Sequence, residues 1–412
     1  MDKKKLFIAI AVIVLVIIAM ITAVAFLNTK NTAKVSVKEV GVSGGEIVLG
    51  TSSALSGHAG QLGTDYLHGA MSYINAVNED GGVNGRKIKV VSYDDKYDPA
   101  TCVANTQKLV SEDKVFALFN YVGTPTALKV MPIVEEEKIP LVGLFTGAHD
   151  LREPVKRYIF NIRPSYYQET GRGVFHYVEE LGIKKIAVFY QNDEYGLDGL
   201  VGTEIALKGY GLTPVAKASY ARGTLDVEGA VETISNSGAE AVILVGTYAP
   251  SAKFVKLCKE KGFKPIFQAV SFVGADEFAK EMGSYAEGVI VSQVVPPPSG
   301  LDVLGGTVKY RELLKKSYPN DRPNFVGLEG FVNAKVIVEG LKRAGQEITR
   351  EKFVDALESM KDFSLGVGYP VNFSKESHQG LEYIYFTIIE KGEFKFFTDW
   401  KKELSGQLKG RQ

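Results

Sequence analysis

Short apolar runs closed by loops of small and hydroxylated residues recur along this chain. Two of them, 115–119 and 139–144, carry no polar alternation, which predicts strands buried on both faces. The first leads into NYVGTPTA and the second into FTGAHD. Similar runs occupy 46–52, 87–93, 185–190, 213–219, 241–246 and 265–270. Helical stretches fall between them at 64–78, 99–110, 166–181, 199–208, 226–235 and 251–261. Thr64 is placed to cap the first of these helices, and Pro99 opens the second from a first-turn position. Strand and helix in alternation predict parallel sheets, and ligands bind outside the carboxyl ends of such strands. The loops are therefore the candidate site.

Residues 158–162 run into Arg163-Pro164, and residues 289–295 run into three prolines. Both read as stiff passages from one half of the chain to the other. Helices at 306–318, 325–344 and 350–360 and strands at 383–389 and 393–398 complete the pattern. Late segments return to earlier sheets in this reading. It gives a first lobe of 46–163 plus 294–381 and a second of 164–293 plus 382–405.

The N-terminus carries a location signal. MDKKK precedes an uncharged apolar run, 6–27, of the length that crosses a bilayer. Residues 1–27 read first as a retained signal anchor, with Lys3, Lys4 and Lys5 left in the cytoplasm. The competing reading is a signal peptide cleaved after Ala25, because Ala23-Val24-Ala25 fits the small-x-small rule. Either way the remainder is exported. Residues 28–45, without periodicity, read as a tether.

Composition removes several function classes. Lys plus Arg equals Asp plus Glu at 48 each, so no global field recruits nucleic acid. Two cysteines, Cys102 and Cys258, are too few for a disulfide framework. The five histidines show no metal-ligand spacing. No Walker A sequence, no G-x-G-x-x-G after a first strand and no G-x-S-x-G elbow occurs. Hence no metal, no cofactor and no catalytic group is expected.

In order along the chain stand ALSGHAGQLG, GGVNGRKIKVVSYDDKYDPA, NYVGTPTA, GLFTGAHDLR, FNIRPSYYQE, FYQNDEYGLDG, VGTYAPSAKF, SFVG and NFVGLEGF. This ordered set, from 46 to 400, resembles the type I periplasmic binding proteins. Most closely it resembles their Leu/Ile/Val-binding branch, the substrate-binding components of ABC importers. The resemblance implies an α/β fold of two Rossmann-like lobes joined by three crossovers. It further implies a small ligand trapped by hinge closure, an ABC permease with a separate ATPase as partner, and no catalysis. A sensory ectodomain signalling through a membrane partner is the alternative.

Carried over position by position, the first-lobe contacts are Ser56, Leu62, Tyr121, Gly123, Thr124, Phe145, Thr146 and Gly147. Those of the second lobe are Tyr195 and Tyr248, with Ser271 and Phe272 where the branch that binds α-amino acids commonly has an acidic residue. Thr124 as N-cap, with Pro125 next, would aim backbone N–H groups at a ligand carboxylate. Tyr195, Tyr248 and Phe145 would cover apolar groups. A buried ammonium without a carboxylate is costly, so a simple α-amino acid is disfavoured unless Glu329, Asp193 or Glu194 substitutes. An aromatic or branched acid, an amide or a modified amino acid fits better.

Overall fold

The computed structural model describes residues 39–299 and 303–409. The apolar run 6–27 and most of the tether lie outside them, and among the described residues no helix is long and apolar enough to cross a membrane.

Five parallel strands form the first sheet. They are β1 (Glu46–Ser53), β2 (Lys87–Asp94), β3 (Ala117–Phe119), β4 (Leu141–Val142) and β5 (Ile159–Phe160), in the order β2-β1-β3-β4-β5. The second sheet contains β6 (Ile186–Gln191), β7 (Ala216–Tyr220), β8 (Ala241–Val245), β9 (Ile266–Ala269), β10 (Ile290–Gln293), β11 (Tyr385–Glu390) and β12 (Glu393–Phe396). Its order is β12-β11-β10-β9-β8-β6-β7, with only β11 and β12 antiparallel to their neighbours. Without that terminal pair, both sheets follow one order. Each reverses direction beside its first strand, between β1 and β3 and between β6 and β8, where a crevice opens outside the carboxyl ends.

The helices of the first half are α1 (Gly60–Glu79), α2 (Pro99–Ser111) and α3 (Thr124–Glu136). Next come α4 (Tyr166–Phe175), α5 (Glu194–Lys208), α6 (Glu228–Ser235), α7 (Tyr248–Glu260) and α8 (Ala275–Met282). Then α9 (Gly305–Ser317), α10 (Phe325–Ala344) and α11 (Arg350–Glu358) return to the first lobe, where α10 lies along α1. Two glycines permit that close crossing. A Cβ on Gly69 would fall 1.8 Å from the Gly327 carbonyl oxygen, and one on Gly330 2.0 Å from that of Tyr66.

Several helix starts differ from the sequence reading. Thr64 lies inside α1, which grows out of a 3-10 turn at Gly57–Ala59. Helix α5 begins at Glu194 because the Asp193 carboxylate accepts from the N–H groups of Tyr195 and Gly196. Helix α7 begins at Tyr248, since Pro250 in a first turn forfeits no hydrogen bond. Helix α8 was not foreseen. Residues 39–45, read as tether, pack on the body: Val48 N–H donates to Gly41 at 2.8 Å, and Val42 bridges Ile47.

The chain crosses between lobes after β5, after β10 and before β11. The first and third crossings run side by side as a short ladder, with Gly380 N–H donating to Asn161 and Leu381 N–H to Ile162, both at 2.8 Å. Buried Arg152 clasps them. Its guanidinium donates to the carbonyls of Ala148 and Arg163 at 2.7 and 3.0 Å and to Gln379 Oε1 at 2.9 Å.

Candidate functional site

The crevice is closed by aromatic rings from both lobes. Phe272, after β9, is its centre: its ring centroid lies 4.5 Å from Tyr195, 5.1 Å from Phe145, 6.0 Å from Tyr97 and 6.5 Å from Tyr166. Tyr66 of α1 adds a further ring, 4.9 Å from Phe145. All six are buried. Leu62 of the first lobe seats on Gly274 of the second, where a Cβ would lie 2.3 Å from its methyl. Half-buried Tyr248 stands beside the same glycine.

Polar groups line the first-lobe side. Gly123 takes φ +102°, and a Cβ there would meet the Tyr97 ring at 2.1 Å, so only glycine fits. Thr124 does not cap α3 as expected: Gly123 occupies the cap, and the Thr124 hydroxyl pairs with that of Thr146 at 2.6 Å instead. Gly147 lets the Tyr166 backbone approach, its carbonyl accepting from Tyr166 N–H at 2.8 Å. The Tyr97 and Tyr166 hydroxyls sit near Gln191 and Thr146 without reaching hydrogen-bonding geometry.

Beneath the rings lies a buried charge network that bridges the lobes. Arg163, on the first crossing, faces Glu169 of α4 at 3.4 Å and Glu329 of α10 at 3.6 Å, and stacks over the Phe145 ring. Glu169 accepts from the Ser271 N–H and hydroxyl at 2.8 and 2.9 Å and from the Ser292 hydroxyl at 2.6 Å. Arg163 also donates to the Ser271 hydroxyl. Burial opposes the Arg163 charge, but the two carboxylates outweigh it and raise its pKa. Burial, with Arg163 nearby, pulls Arg152 down to about 9.

Two expected contacts lie elsewhere. Tyr121 points into the first-lobe core, its hydroxyl 2.8 Å from that of Thr106. Neighbouring Asn120, at φ +55°, turns the other way and joins Asn333 and Tyr66 under the crevice. Ser56 is exposed, and its hydroxyl donates to Asp94 at 2.5 Å. The remaining expected residues, Leu62, Gly123, Thr124, Phe145, Thr146, Gly147, Tyr195, Tyr248, Ser271, Phe272 and Glu329, gather around the rings and the network.

The family model for periplasmic binding proteins matches residues 46–393. The chain belongs to that family. It is 27% identical over 252 residues to an amino acid binding protein of Pseudomonas aeruginosa, spanning 60% of this chain and 67% of the relative. A possible leucine/isoleucine/valine-binding protein from Rhodopirellula baltica SH 1 superposes with a TM-score of 0.83, at 32% identity over 87% of this chain and 98% of that one. A fatty acid ABC transporter substrate-binding protein from Thermomonospora curvata shares the fold at a TM-score of 0.81, with 23% identity over 88% of this chain and 94% of its own.

In this periplasmic binding protein the sequence reading missed Arg163, Glu169, Tyr66, Tyr97 and Tyr166 as parts of the site. Arg163-Pro164 followed by the Ser165 to Gln168 capping box was the available signal, because it fixes where α4 starts and hence where Glu169 points. A groove of about 1180 Å³ opens at the lobe boundary between Asp65, Asp276, Glu277 and Arg322, and none of the expected residues lines it.

Glu169 has its donors, whereas Glu329 Oε1 has no hydrogen bond and only the long contact to Arg163. Burial therefore pushes the Glu329 carboxyl up from 4.5 to about 7, with Arg163 only partly opposing. The folded chain holds this proton more tightly than the unfolded one, so the stability it contributes is full below 4.5 and is lost as pH rises through about 7. Between pH 4 and 8, urea titrations should show the parent losing roughly 3 kcal/mol more than Glu329→Gln. Equal losses in the two proteins would refute the assignment.

Proposed function

We propose that this protein is the extracytoplasmic receptor of an ABC importer and traps a small organic acid or amide, unchanged chemically, by closing its lobes. The observation that carries the reading is the meeting of rings from both lobes on Phe272 in a buried crevice. A ligand's apolar part would take up ring contacts there. Its carboxylate or amide would lie at the start of α3, near Gly123 and the paired hydroxyls of Thr124 and Thr146.

Glu169 accepts three hydrogen bonds, Glu329 faces Arg163 and Asp193 caps α5, so each of these carboxylates is already engaged within the protein. An unpaired ammonium would be costly at this depth. This favours an aromatic or branched acid, an amide or a modified amino acid, and the names of the relatives extend from amino acids to a fatty acid. Permease and ATPase would be separate chains. The run 6–27 would bring the receptor to the outer face of the membrane, retained as an anchor or cleaved after Ala25.

A thermal-shift screen of the purified protein against amino acids, amides, aromatic and branched acids and small anions tests this. One organic acid or amide should raise the melting temperature, and Thr124→Val should lose that rise while its unliganded melting point stays within about 4 °C of the parent. Stabilisation by simple α-amino acids alone would overturn the ligand class. No stabilisation by any compound would count against a cleft receptor.

A further inference from the structure

Helix α5 leaves an apolar stripe in water. Leu197, Val201 and Ile205 are 45%, 37% and 55% exposed. They recur every fourth residue and so lie along one edge of the helix. The opposite face is tightly seated: a Cβ on Gly199 would fall 2.5 Å from Val245, and one on Gly202 2.8 Å from Tyr167. The stripe is thus a finished surface of a well-packed helix.

Its ends carry opposite charges. Glu194 stands three residues before Leu197 and Lys208 three residues after Ile205, both exposed. Spacing along the edge reads three, four, four, three, which is symmetric about Val201, while the charges change sign across the same point. We propose that α5 is the contact through which two copies of this chain associate, antiparallel about a two-fold axis at Val201. Val201 then meets its own counterpart, Leu197 of each copy meets Ile205 of the other, and Glu194 of each meets Lys208 of the other. A parallel pairing would set Glu194 against Glu194 and Lys208 against Lys208, so charge selects the antiparallel one. One helix edge buries less than the roughly 800 Å² per partner of a standard interface, and the dimer is correspondingly weak and reversible. This inference does not depend on the ligand.

The full-length chain carrying Val201→Cys tests the geometry with a short thiol crosslinker. Native Cys102 and Cys258 are buried and do not compete. Crosslinked dimer is expected with Val201→Cys and not with Glu232→Cys, an exposed position on α6 of the same lobe. Sedimentation of unlinked variants, checked for folding by circular dichroism, tests the pairing. Glu194→Lys or Lys208→Glu alone should weaken association about tenfold, because each replaces two attractive contacts with two repulsive ones. The double exchange should restore it. A monomer at every concentration, single variants that associate like the parent, a double exchange that fails to restore, or crosslinking to a different protein would each overturn the proposal.

Discussion

Arg163→Met should lower the unfolding free energy by about 3–5 kcal/mol, the largest loss expected from a single polar substitution in this chain. The side chain is 1% exposed and stands between carboxylates that belong to different lobes. Removing it leaves Glu169 and Glu329 with only the more distant guanidinium of Arg152 as counter-charge, in surroundings that admit almost no water. Much of that cost comes from the carboxylates left behind rather than from the lost attraction. Adding Glu169→Gln and Glu329→Gln to Arg163→Met should therefore recover a substantial part of the stability. Urea midpoints of the single and triple variants measure both effects. A single-variant loss under about 1 kcal/mol would mean that the pair behaves like an exposed one.

Phe272→Ala is the second large effect. Truncating a fully buried phenylalanine costs about 3–5 kcal/mol. Here the loss divides unequally between folding and closure, since Tyr195 and Tyr166 belong to the same lobe as Phe272, whereas Tyr97 and Phe145 belong to the other. Each ring pair contributes about 0.5–1.5 kcal/mol beyond burial, so the two contacts across the crevice hold the lobes together by about 1–3 kcal/mol. The variant should melt earlier. In small-angle scattering the unliganded variant should also show a larger radius of gyration than the parent. An earlier melt with an unchanged radius would show that Phe272 supports its own lobe and not the closed arrangement.

The β/α alternation was legible because strands such as β8 are buried along their whole length and therefore read as unbroken apolar runs. Helix starts were less legible, because Asp193 captures two backbone N–H groups three-dimensionally close but outside any apolar repeat. Leu62, Tyr195 and Phe272 came from the ordered motifs and do gather in one crevice. Tyr121 did not, because the positive φ of Asn120 breaks the alternation that would have turned it inward. The charge network was the least visible part. Arg163 and Glu169 stand six residues apart in one motif, but Glu329 lies far away in another, and only the crossing of the chain between lobes brings both carboxylates within 4 Å of Arg163.

The laddered first and third crossings, with Arg152 through them, make a strap where separate cords would have allowed independent travel. A strap bends across its width and resists sliding along its length. On the proposed function each half of the molecule would therefore be confined to a single arc, like a door on a piano hinge, and a captured solute would be freed first at the end farthest from the strap.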